Sequence, residues 1–108
     1  MIALVSTYEL GRQPFGLASP AAWLTRAGLY VTWLDLSRQS FDVSIAEADL
    51  VAFHLPMHTA TRLAVPVIKR LRELNPSIQI CGYGLYARLN EAFLRSLGVS
   101  HIFGAEYE

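Results

Sequence analysis

Five short runs rich in aliphatic and β-branched residues recur along the chain, and the segments between them place their apolar residues at helical spacing. The runs cover residues 2–6, 30–36, 50–55, 78–81 and 99–103. Continuous apolar runs describe strands with no wet side, buried on both faces. Strands that alternate with helices across short loops call for a parallel sheet with right-handed crossovers. With five strands, the favoured arrangement is α/β and flavodoxin-like (Rossmann-like): a three-layer sandwich of strand order 2-1-3-4-5. Its topological switch point falls between strands one and three.

The connecting segments support that reading. In residues 16–27, Leu17, Ala18, Ala21, Ala22 and Leu24 recur at helical spacing, and Gly28 supplies a left-handed residue to end the helix. Ser19-Pro20 is either an N-cap with proline at the first helical position or an early kink. Residues 59–74 carry Ala60, Leu63, Ala64, Val67, Ile68 and Leu71 on one stripe, with Arg62, Lys69, Arg70 and Arg72 largely off it. Pro66 either bends this helix or marks its start, since proline inside a helix costs ~3 kcal/mol. A short helix is expected near 43–48, and another over 90–97 closed by Gly98. After residue 103 the chain runs Gly104-Ala105-Glu106-Tyr107-Glu108, too short for the helix that normally covers a last strand. The expectation is one domain, residues 1–108, whose final cover helix is absent and is supplied by a larger protein or a partner.

Composition narrows the function classes. Hydrophobic residues make up 53% of the 108 and charged residues 17%, as a doubly covered parallel sheet requires. Nine basic and nine acidic residues cancel, so nothing advertises a nucleic-acid or anionic-membrane surface. No apolar run approaches the roughly 20 residues that span a bilayer, and the N-terminus lacks the basic flank of a signal peptide. A cytoplasmic protein is the plain expectation. The single cysteine, Cys81, excludes an internal disulfide framework and a cysteine-built iron–sulfur site in this chain.

Ligands of this architecture bind outside the carboxyl ends of the strands, which brings residues 6–15, 54–59, 82–88 and 104–108 to one rim. Tyr8, Phe15, Tyr83, Tyr86 and Tyr107 supply aromatic surface there; Glu9, Arg12, Gln13, His54, His58, Arg88 and Glu106 supply polar groups. Aromatic walls with a few polar groups suit a large flat organic ligand or a protein partner, while the plain alternative is that they cap the core. His54 and His58 would share a face only on a helix, which Pro56 disfavours, so strand-end histidines are expected rather than metal ligands. Cys81, inside an apolar strand, reads as a buried inert thiol. Residues 6–11 lack the glycine density of a phosphate cradle. A two-component receiver needs acidic residues at the ends of strands one and three, where this chain has Ser6-Thr7 and His54-Leu55.

Several stretches taken in order carry a family likeness. Pro14-Phe15-Gly16-Leu17-Ala18, Ala21-Ala22-Trp23-Leu24 and Ala27-Gly28, then Val31 to Asp35, Ala48-Asp49 to Ala52, Asn75-Pro76, Leu97-Gly98-Val99 and the final Gly104 to Glu108 resemble the cobalamin-binding-like domain that precedes many radical SAM catalytic domains. Residues 6–24 and 54–61 look closest to the radical SAM subgroup named for a CUAEP/CCAEP tail. The resemblance implies an accessory domain that binds a cofactor or substrate at the strand ends, with Tyr8, Gln13, Gly16, His54, Gly82, Tyr83 and Tyr86 at the site. Cobalamin would be the cofactor, with the iron–sulfur cluster and SAM confined to a downstream catalytic domain. No catalytic activity is expected of residues 1–108 alone. The chain also departs from the family. Gly11 and Gln13 stand at the aspartate and histidine places of the cobalt-ligating motif Asp-x-His-x-x-Gly, His54 stands near a usual small serine, and Gly82-Tyr83 replaces paired glycines. The alternative is therefore a module of the same fold that does not bind cobalamin and serves for docking or dimerisation.

Overall fold

The computed structural model describes residues 1–7, 22, 24–36, 40–56, 58–84, 87 and 89–103. Its sheet has five strands: β1 (Ile2–Ser6), β2 (Val31–Asp35), β3 (Leu50–His54), β4 (Gln79–Tyr83) and β5 (His101–Phe103). They pair in parallel in the order β2-β1-β3-β4-β5, the arrangement that the sequence pattern favours. A 3-10 helix (Val43–Glu47) leads into β3, α1 (His58–Leu74) joins β3 to β4, and α2 (Glu91–Ser96) joins β4 to β5.

The strand period of two divides the core between the two faces of the sheet. On one face Ala3, Val5, Val51, Phe53 and Ile80 meet Ala64, Ile68 and Leu71 of α1 and Leu94 of α2, all at most 1% exposed. Burying each of the larger side chains is worth about 1.5–3 kcal/mol. On the other face Leu4, Ala52, Cys81 and Tyr83 form a smaller cluster against which Leu24 packs. Residues 24–26 are helical, and the turn after them is closed by Gly28 at φ +84°. There the Leu29 N–H reaches the Leu24 carbonyl and the Gly28 N–H that of Thr25, the paired closure of a Schellman motif. The same closure recurs at Gly98, through Val99 to Leu94 and Gly98 to Arg95. Most of the expected first helix, with Ser19-Pro20, lies outside the described residues.

Three expectations shift in detail. The long helix starts at His58 and keeps Pro66 in its interior. Pro66 and Arg62, whose carbonyl loses its amide partner to the proline, are both exposed, on the side of the helix where solvent can supply a donor. Leu63 is 47% exposed, outside the buried stripe of Ala60, Ala64, Ile68 and Leu71. β4 runs on to Tyr83 instead of stopping at Cys81. Gly82, which reads as a turn residue, lies inside the strand, paired with Phe53 and Ile102, where a Cβ would come within 3.3 Å of the Leu55 side chain.

Arg72 near the end of α1 ties three segments together. Its guanidinium donates to the carbonyls of Pro76 (3.2 Å) and Ile78 (2.5 Å) ahead of β4, and to Gly98 beyond α2. Asn75 adds a bond from Nδ2 to the Ala46 carbonyl at 2.9 Å. Together they fix α1 and α2 on the same face of the sheet.

Candidate functional site

The carboxyl ends of the strands are in register across the sheet. Asp35 pairs with Ser6, Ser6 with His54, His54 with Tyr83, and Tyr83 with Phe103. Partners in a parallel ladder project to the same face, so these five side chains form one row at the rim, on the side of the smaller core cluster. Ser6 is 0% exposed, Tyr83 4%, His54 5% and Asp35 8%, whereas Phe103 at the β5 edge is 51% exposed. Four polar side chains thus stand inside the molecule where the fold ordinarily opens a crevice.

Their surroundings explain how they are held. The rings of His54 and Tyr83 lie 5.1 Å apart, tilted by 31°, which is a favourable aromatic spacing. Burial pushes the His54 imidazole down to about 4 from its ordinary 6.5, so the ring is neutral at physiological pH. On the β2 side of β1 the Ser6 carbonyl accepts the Leu36 N–H at 2.7 Å. Thr7 Oγ1 donates to the Ala60 carbonyl in the first turn of α1, also at 2.7 Å. Ser6 Oγ is buried and finds no hydrogen-bond partner among the described residues. Beyond β3 and β4, the Leu55 N–H donates to the Tyr83 carbonyl at 2.7 Å, and Gly84 adopts φ +107°. A Cβ on Gly84 would lie 2.9 Å from the Leu55 carbonyl oxygen, so the two strand-end segments close on each other only because no side chain stands there.

Of the residues that the family likeness implies, His54 and Tyr83 are brought together, in the core instead of along an open wall. Gly82 is separated from them: it shares the opposite face with Phe53 and Ile102. Tyr8, Gln13, Gly16 and Tyr86 lie outside the described residues. His101 begins β5, exposed and in register with Cys81, away from the strand ends. Cys81 is buried, and burial pushes its thiol up to about 11, as an inert cysteine requires. No group of three or more His, Cys, Asp or Glu able to hold a metal occurs among the described residues. Sequence reading did not single out Asp35 and Ser6 as members of a row. The available signal was positional: each is the last residue of its strand, two beyond Trp33 and Leu4 on the same face.

No helix among the described residues is long and apolar enough to cross a membrane. The sequence matches no protein-family model and no curated protein. Among solved structures, a response regulator from Burkholderia pseudomallei, described with a phosphorylated aspartic acid, calcium ion and citrate, superposes with a TM-score of 0.69 at 14% identity. The match covers 99% of this chain but 60% of that one. At that identity the likeness concerns the fold: the two share the flavodoxin-like parallel sheet.

Proposed function

We propose that this domain is an accessory module of a radical SAM protein, related to the cobalamin-binding-like domains, whose strand-end rim packs against a catalytic domain and does not hold cobalamin. The observation that carries the reading is the buried His54–Tyr83 pair. The resemblance expects small residues near the ends of strands three and four, so that the nucleotide tail of cobalamin can pass beside the sheet. Here those two places carry an imidazole and a phenol that pack against each other at a tilt and are almost wholly withdrawn from solvent. A side chain that lines an open channel is wetted; these are not. Gln13 at the histidine place of the cobalt-ligating motif does not by itself exclude the cofactor, but with these two rings in the path of its nucleotide tail the residues present do not fit it. The phosphorylated aspartic acid of the response regulator does not carry over either, since Ser6 and His54 end β1 and β3.

The test is titration of the chain with hydroxocobalamin. An unchanged cobalt spectrum and no co-elution on gel filtration are expected, while stoichiometric retention would overturn the closed-rim reading. The radical SAM assignment is tested separately, by a Cys-x3-Cys-x2-Cys segment in the reading frame beyond residue 108 and by association of this domain with the polypeptide that carries it. A second reading, a rim that faces a small substrate, is favoured by one observation: Ser6 Oγ, buried at the switch point, has no partner among the described residues.

A further inference from the structure

The rim is not the only surface with recognisable chemistry. β2 is last in the sheet order and pairs with β1, so its outer side presents strand N–H and C=O groups away from the sheet. Proteins commonly guard such an edge with lysine or proline, and β2 reads Val31-Thr32-Trp33-Leu34-Asp35, with neither. Around it Tyr30 is 75% exposed, Trp33 51% and Val43 56%, an apolar fringe of the kind that marks a binding surface. Beside the 3-10 helix, Tyr30, Thr32 and Leu34 join Asp42 and Ser44 in lining a groove of about 270 Å³.

The charge of that groove is specific. Asp42 caps the 3-10 helix, accepting the Ser44 N–H on Oδ1 at 3.0 Å, and its exposed carboxylate lines the groove. The Met1 ammonium also reaches the lining, but the Asp49 carboxylate neutralises it at 2.5 Å. Asp42 is therefore the unbalanced charge among the described lining residues, beside the exposed ring of Tyr30. A carboxylate and an aromatic face together suit a guanidinium or ammonium group.

We propose that the β2 edge docks an extended basic segment of a partner protein, which adds to β2 as a further strand and sets an arginine or lysine among Tyr30, Thr32 and Asp42. Main-chain pairing supplies attachment, and the groove supplies the preference for a cation. A second copy of this chain fits less well. Its own β2 would offer Thr32 and Leu34 to the groove, which carry no cation, and would bring a second Asp42 to the same interface.

The probe is an acetylated, amidated five-residue peptide alternating valine with arginine, titrated into the isotope-labelled chain and followed by amide resonances. Residues 30–35 and 42–45 are expected to shift. Asp42→Asn, which preserves the helix cap, is expected to weaken binding about two- to fivefold, the weight of one exposed ion pair. Three results would each overturn the proposal: equal affinity for the glutamate version, equal affinity for a version with methylated backbone amides, or the same shifts on raising protein concentration without peptide. The last would assign the edge to a second copy.

Discussion

Acidification measures how completely the rim encloses His54. In the unfolded chain the imidazole takes its proton near the ordinary 6.5, whereas in the fold burial delays it to about 4. Between those values the unfolded state binds a proton that the folded state refuses. Stability from this group is therefore whole above pH 6.5 and is lost as pH falls toward 4. At about 1.4 kcal/mol per pH unit the interval amounts to about 3 kcal/mol, a large share of the about 5–15 kcal/mol typical of a domain. Urea unfolding at pH 7.5, 6.5, 5.5 and 4.5, for the native chain and for His54→Gln, isolates the effect. Asp42 and Asp49 are held below the usual carboxylate range, by the Ser44 N–H and by the N-terminal ammonium respectively. They destabilise both proteins alike in acid, so the difference between the two curves reports the histidine. The gap between native and variant is expected to change by about 2 kcal/mol or more between pH 7.5 and 4.5. Parallel curves, or an imidazole resonance with a midpoint near 6.5, would refute the reasoning, because a hydrated ring keeps its ordinary value. That result would also reopen the rim as a channel.

Three further outcomes follow from local geometry. Gly84→Ala places a Cβ 2.9 Å from the Leu55 carbonyl oxygen at φ +107° and should cost about 2–4 kcal/mol by thermal or urea unfolding. Arg72→Met removes the donor to the carbonyls of Pro76, Ile78 and Gly98; a loss of about 2–3 kcal/mol is expected, with faster amide exchange in residues 76–78 and 98. Cys81, buried with its thiol pushed up to about 11, should react with maleimide at pH 8 only at the rate of opening, and labelling as fast as for a free thiol would show that face of the sheet to be open.

What the sequence made legible was the part governed by periodicity. The strand runs, the stripe of Ala60, Ala64, Ile68 and Leu71, and the closing glycines Gly28 and Gly98 all depend on local spacing, and the β/α alternation they spell out favours the strand order that the sheet adopts. The misread positions are those where two elements compete for one space. Gly82-Tyr83-Gly84 carries the composition of a turn, yet Gly82 is strand, paired with Phe53 and Ile102 and with the Leu55 side chain 3.3 Å from where a Cβ would stand, and only Gly84 turns. Pro66 reads as either a bend or a helix start, and of the two the start is excluded: the helix passes through it, with Pro66 and Arg62 both exposed. Neither neighbour is visible from residue type at a single position.

The same limit explains the candidate site. Residue types placed tyrosines and histidines at the strand ends, but a rim residue can line a crevice or seal one, and composition is identical in the two cases. Register decides. With His54 opposite Tyr83, both rings project to one face at adjacent strands about 4.8 Å apart, close enough to stack on each other instead of on a ligand. Ser6, on the other side of His54, is small enough to leave the imidazole room, and its hydroxyl is buried with it. A larger residue at Ser6 would press on the imidazole from the β1 side; a smaller one at Tyr83 would uncover it. His54→Ser combined with Tyr83→Gly restores the small residues that the cobalamin-binding-like domains keep, and it is the pair of substitutions under which cobalamin retention would locate the obstruction in these two rings.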